Sequence, residues 1–409
     1  MKRRVVVTGM GIWSCIGQDL QTVTESLKQG RSGIIFDPSR IDYGLQSGLV
    51  GNVPRPDLKP LLPRKFRATM SEDAEYAYMA TCQAFEQAGI SDNYLCKNEV
   101  GIIFGSDYVA KGKVDAARTM RSEKCSQMLD PNCLFQSETS SVTMNLSAIF
   151  HLRGINLCVG AACASSAHAI GLATTFIRQG LQDTILVGGA NETACCAMTL
   201  LDRMDVVSVQ NETPHKASRP FDKDRDGMVP SGGAAVLVLE EYEHAVARGA
   251  TILAEVVGYG FSTDGTYIME RDIKRIIMAI KCALHDANML ENEVDFVHPF
   301  ASGSILDDMW DAQALNELFG GSETWITSTE SMTGHEHDMA GASHCVYTIL
   351  MMQNNFVAPT INLDNVMPEA NQLKIPRTTI YQPISTALIS NSGLGATNSV
   401  IILSKVCEE

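Results

Sequence analysis

The residues best suited to chemistry lie in residues 155–180, INLCVGAACASSAHAIGLATTFIRQG, where an apolar strand-like run passes through small residues to Cys163. The stretch after Cys163 is rich in Ala, Ser and Gly and reads as a helix slim enough to lie deep in a protein. A cysteine at the N-terminus of such a helix meets the positive end of its dipole, which favours thiolate over thiol. The unpaired amides of the first turn can also hold the oxyanion of a thioester adduct. The ordinary alternative is a buried structural thiol; the strand-turn-helix setting shifts the balance toward a nucleophile but by itself leaves both readings open.

Apolar runs able to position these residues recur along the chain. VVVTGMG at 5–11, VGIIFGS at 100–106, TILVGGAN at 184–191 and AAVLVLE at 234–240 are followed by LAEVVGYG, VDFVHPFA, TWITSTE, TALISNSG and NSVIILSK. Between them lie helix-period stretches such as EDAEYAYMATCQAFEQAG and IKRIIMAIKCALHDAN. Continuous apolar strands alternating with helices predict an α/β protein whose sheet is covered on both faces. A polar, alanine-rich stretch before Thr251 suggests two comparable halves, 1–250 and 251–409.

Composition narrows the function. The chain has 409 residues, 45% hydrophobic and 19% charged, with a net charge of −15. That balance suits a globular enzyme and lacks the basic footprint of a nucleic-acid binder. No run of eighteen apolar residues suggests a membrane span. The N-terminal MKRRVVVTGMG reads as a first buried strand rather than a leader, so a cytoplasmic location is expected. The 12 cysteines include no CxxC pair, so neither a metal site nor a disulfide framework is expected.

RVVVTGMG, GAACASSAHAIG, ASRPFDKDRDGMV at 217–229, SMTGH at 331–335 and SNSGLGATN at 390–398 occur in that order. Together they resemble the landmarks of β-ketoacyl-acyl-carrier-protein synthases of the type II elongating class, in the thiolase superfamily. The resemblance implies a thiolase fold, with two similar halves that each contribute a five-stranded mixed sheet to a layered α-β-α-β-α arrangement. It implies that Cys163 takes an acyl chain from an acyl carrier protein. A malonyl-carrier thioester then decarboxylates and its carbanion attacks the bound acyl group, in fatty-acid or polyketide-type synthesis. It implies His335 as a catalytic donor, a requirement for neither metal nor organic cofactor, and a homodimer, or a heterodimer with another ketosynthase.

The chain departs from that family where the family keeps its other histidine. Ungapped alignment puts Phe300 at the position, with His298 two residues earlier on the same face of an extended segment. Glu330 replaces a family lysine and His344 a family glutamate, which suggests an inverted charge pair. Ser302 and Ser304 stand where family threonines hold the phosphopantetheine arm, and Leu394 stands at the family's phenylalanine gate. Arg64, Lys65 and Arg67 fall where relatives display a basic landing patch for the carrier. Three readings stay open: an unusual elongating ketosynthase, a non-elongating acyltransferase or loading enzyme, and a partner subunit like a chain-length factor. The retained cysteine argues against the last, and Phe300 against the first.

Overall fold

The computed structural model describes residues 3–267 and 270–406. Its strands are β1 (Val5–Trp13), β2 (Ile34–Phe36), β3 (Leu49–Gly51), β4 (Val100–Gly105), β5 (Asn156–Val159), β6 (Thr184–Asn191), β7 (Gly233–Glu241), β8 (Ala254–Thr263), β9 (Phe296–His298), β10 (Trp325–Ile326), β11 (Thr386–Gly393) and β12 (Thr397–Ser404). β2 and β3 form a separate ribbon, and the other ten run in the order β10-β9-β11-β12-β8-β1-β7-β6-β4-β5. β6 and β7 are buried along their whole length, which explains why they read as unbroken apolar runs rather than alternating ones.

The ladder divides into two groups of five strands, each mixed. In the first, β4 pairs parallel with β5 and β6, while β7 is antiparallel to β6 and β1. In the second, β9 is parallel to β10 and β11, while β12 is antiparallel to β11 and β8. A short antiparallel joint, Val6 opposite Glu255 and Val7 opposite Ala254, makes the two groups one continuous ladder.

Helices complete the layers. The helix Glu72–Ala88 covers the outer face of the first group, and Ile273–Ala287, backed by Ile305–Phe319, covers that of the second. Ser165–Arg178 and Ala340–Asn354 lie between the two groups and touch both. This is the α-β-α-β-α layering of the thiolase fold. Apolar side chains gather in a central cluster around the two inner helices and in one further cluster under each outer layer.

The inner layer is possible because its contacts are made by backbone. A Cβ on Gly341 would lie 2.4 Å from the Ala167 amide nitrogen, and one on Gly105 would lie 2.2 Å from that of Ser166. Either side chain would force apart the elements that carry the candidate nucleophile.

Candidate active site

Cys163 does not sit inside its helix. β5 ends at Val159, a single 3₁₀ turn spans Ala162–Ala164, and the α-helix begins at Ser165. Ala162 holds a left-handed φ of 47°, a conformation costing a non-glycine residue about 1–3 kcal/mol. Polar contacts pin the turn. The Asp107 carboxylate accepts the Ala162 N–H at 3.2 Å, and Ser165 Oγ accepts the Ala161 N–H at 2.8 Å. Asp338 Oδ2 in turn accepts the Asp107 N–H at 2.7 Å.

The sulfur faces His335, with Sγ 3.0 Å from Nε2. On the far side of the ring, Nδ1 lies 3.0 Å from both oxygens of Glu330. The two residues come from opposite ends of a short turn, Glu330–Thr333, followed by Gly334 at φ 70°. The backbone of His335 is then clamped between Val229 and Ser231. Cys163, His335 and Glu330 thus lie in one line of thiol, imidazole and carboxylate, the geometric logic of a triad.

Electrostatics follow from depth. Burial alone disfavours charge on His335, but the Glu330 carboxylate and then the Cys163 sulfur outweigh it, holding the ring's pKa well above the usual histidine range. Burial also pushes Glu330 up, with His335 pulling it back. Both shifts keep one proton on this contact, and we assign it to the ring, which has an acidic group on each side. Behind Glu330, His344 Nε2 lies 3.2 Å from Oε1, though not aligned as a hydrogen bond. Burial, then the charges of His298 and His335, drive His344 well below its usual pKa, so it is neutral.

Phe300 is buried and meets His335 edge to face, with ring centroids 5.5 Å apart. The loop carrying it is held from beneath by the first turns of the helix Ile305–Phe319. Asp311 accepts the Ala301 N–H at 3.2 Å, and Asp308 accepts those of Gly303 at 3.0 Å and Phe221 at 2.9 Å. Cys163, Phe300, His335 and Leu394 all line one cavity of about 620 Å³. Met198, Leu200, Leu201, Met204 and Met228 contribute apolar lining.

The other sequence candidates divide. His298 does not reach the space left by the missing imidazole. Its ring is fully buried and stacked on His344 at 3.8 Å, with Nε2 bound to Thr329 Oγ1 at 2.8 Å and Nδ1 near the Pro299 carbonyl at 3.1 Å. Burial lowers its pKa to about 3. Glu330 and His344 are neighbours, but with His344 neutral they form no inverted charge pair, and the main partner of Glu330 is His335, which spacing alone did not reveal. Ser302 and Ser304 line the cavity, and Ser304 Oγ also accepts the Asp307 N–H at 3.4 Å as a helix cap. Leu394 is 57% exposed at the cavity. Arg64 and Lys65 are exposed and Arg67 half-buried, outside the cavity lining. No ion pair engages the three among the described residues; Lys65 instead lies over the Phe66 ring and Arg67 donates to the Leu62 carbonyl.

Sequence reasoning missed Asp107, Asp338 and His337. His337 lines the cavity, is buried, and leaves Nε2 without a partner among the described residues. Its ring centroid lies 4.6 Å from that of His335. The acid-histidine spelling HEHD directly after SMTG was the available signal. Although no metal was expected, the donor atoms of Cys163, His335 and His337 fall within 4.8 Å of one another, a composition that zinc accepts.

Known proteins resemble this chain over its length. The model of the β-ketoacyl synthase N-terminal domain matches residues 2–245, and that of its C-terminal domain residues 253–364. The chain is 35% identical over 407 residues to 3-oxoacyl-[acyl-carrier-protein] synthase 1 of Escherichia coli K12, covering 99% of each. A β-ketoacyl synthase crystal structure from Burkholderia phymatum superposes with a TM-score of 0.94 at 33% identity, covering 100% of both chains. A type II polyketide ketosynthase, solved in complex with its acyl-carrier protein, superposes at 0.89 with 26% identity over 100% of both chains. With full-length matches in sequence and in fold, the chain belongs to the β-ketoacyl synthase family of condensing enzymes.

Proposed function

We propose that Cys163 accepts an acyl group from a carrier-bound thioester, and that the chain transfers acyl groups far more readily than it decarboxylates malonyl units. The observation that carries this is the line Cys163–His335–Glu330 with Phe300 closing the same space. Elongation develops negative charge on an enolate beside the nucleophile, and donors must already point there. Phenylalanine cannot donate, the His335 imidazole is tethered to a carboxylate, and that of His337, with its donor atom within 4.8 Å of the sulfur, is kept uncharged by burial. Removing a single such donor commonly costs about 10²–10³ in rate.

An acyl carrier protein is the natural donor, since its arm delivers a thioester to a narrow cavity and the ketosynthase solved with its carrier shares this fold. Ser302 and Ser304 would meet that arm, and Leu394 would select what passes. Assembly as a dimer through β5 fits its place at the open edge of the ladder, where Asn156 and Leu157 are exposed.

Mass spectrometry after mixing with octanoyl- and malonyl-carrier proteins tests the reading. Acylation confined to Cys163, with little chain extension, is expected. Labelling of other cysteines only, or a Cys163→Ala variant that still acylates, would sink it.

A further inference from the structure

The line of three residues has a second half to its chemistry. Once Cys163 is acylated the sulfur carries no charge, and His335 loses one of the two acidic partners that held its proton. Glu330 remains, fully buried 3.0 Å from Nδ1, and keeps the ring oriented with Nε2 toward the acyl group. A neutral imidazole so placed is a base for a protic acceptor. Beside it, the unpartnered Nε2 of buried His337 can accept or donate one hydrogen bond to whatever enters. Phe300 meets the same ring edge to face and offers no donor of its own to a carbanion.

We propose, resting on the reading of Cys163 as the acylated group, that the enzyme passes its acyl chain to a hydroxyl or amine acceptor. His335 is the base, Glu330 the positioning residue and His337 the acceptor's hydrogen-bond partner. In loading, the Cys163 thiolate attacks the carrier thioester carbonyl, the carbon–sulfur bond to the carrier breaks, and the His335 imidazolium protonates the departing thiolate. In discharge, the acceptor gives its proton to His335 as its oxygen or nitrogen bonds to the acyl carbon. The bond from that carbon to Cys163 Sγ breaks, which restores the thiolate and imidazolium. No carbon dioxide is released, and no oxidant or metal is consumed.

The test loads octanoyl groups from octanoyl-carrier protein, with EDTA present, and confirms by peptide mapping that the label is on Cys163. Loss of the label is then followed by intact mass in buffer alone, with 1-propanol, with propylamine, or with malonyl-carrier protein. We expect propanol or propylamine to discharge the acyl-enzyme at least about 10-fold faster than malonyl-carrier protein does, with formation of the ester or amide. Glu330→Gln, a replacement of nearly equal volume, should slow discharge at least about 10-fold, and Glu330→Asp should recover part of the loss. The rising limb of the discharge rate against pH should move to lower pH in Glu330→Gln, because His335 loses the carboxylate that raises it, which a folding defect would not produce. Faster discharge by malonyl-carrier protein with equal carbon dioxide release overturns the proposal. So does a label stable in every arm, or a Glu330→Gln variant unchanged in both rate and pH profile. Failure to load Cys163 at all would instead bring down the reading on which the proposal rests.

Discussion

At the scale of single residues, the charge exchange around His335 decides what can be restored. Phe300→His alone would set a second imidazole beside a ring already held protonated, and two such rings disfavour each other's charge. Glu330→Lys alone would leave a buried ammonium against that ring, and a broken buried pair costs about 3–5 kcal/mol. His344→Glu alone would set two carboxylates where Glu330 Oε1 and His344 Nε2 are now 3.2 Å apart. The triple variant supplies each change with its partner, so its effect should exceed the sum of the single ones. Carbon dioxide release from malonyl-carrier protein should rise at least about 10-fold in the triple variant; a wild type already matching an ordinary relative would show that Phe300 costs nothing. The Glu330→Lys and His344→Glu double variant should melt higher than either single one. Much of this site was legible in the sequence, because the small residues around Cys163 and the SMTGH segment are local signals. Asp107 and Asp338 were not, because the contact between them joins positions 231 apart. Glu330 was paired with His344 by reasoning on charge. Its nearer tie to His335 depends on the turn at Gly334, which no periodicity announces.

At the scale of elements, the helix Ile305–Phe319 acts through the acids of its first two turns. Burial raises both Asp308 and Asp311 to about 7, against which the backbone N–H groups they accept pull only partly. A carboxyl whose folded pKa lies above its unfolded value contributes stability that is complete below the unfolded pKa, near 4, and lost as pH rises through the folded one. Buried His298, His337 and His344 have depressed values and act in the opposite sense, but their contribution is lost only as pH falls below about 6.5. From about pH 6.5 to 7.5 Asp308 and Asp311 finish ionising, alongside Asp338 and Glu192 at about 7, Glu336 at about 8 and the raised His335, all with the same sign, so the melting temperature should decline. Asp311→Asn should flatten that decline, as read by thermal melts across the interval; an unchanged slope would show that Asp311 is ionised throughout. The elements themselves were foreseen where they are long and apolar. The segments VDFVHPFA and TWITSTE yield only the short strands β9 and β10, because the chain beyond them turns into the site.

At the scale of the whole molecule, a net charge of −15 must be reconciled with an acidic carrier. Fields at a surface are local, fading over a Debye length of about 8 Å, so we propose Arg64, Lys65 and Arg67 as the patch that steers docking on an otherwise acidic body. Reversing the three charges should slow acylation by octanoyl-carrier protein several-fold and leave a small octanoyl thioester unaffected, with the carrier reaction itself weakening as salt is added. Equal slowing of both substrates would instead indicate damage to the fold. The cavity joins two materials of different stiffness. Its Cys163 side is braced by backbone contacts at Gly105 and Gly341, where no side chain can yield. Other lining residues are Met198, Met204, Met228, Leu200 and Leu201, and the thioethers bend to fit irregular guests. Such a vessel gives way where its methionines are. Longer acyl chains should lodge by displacing Met198, Met204 and Met228 while the reacting carbon stays in place, so activity should fall gradually with chain length rather than stop at one carbon number.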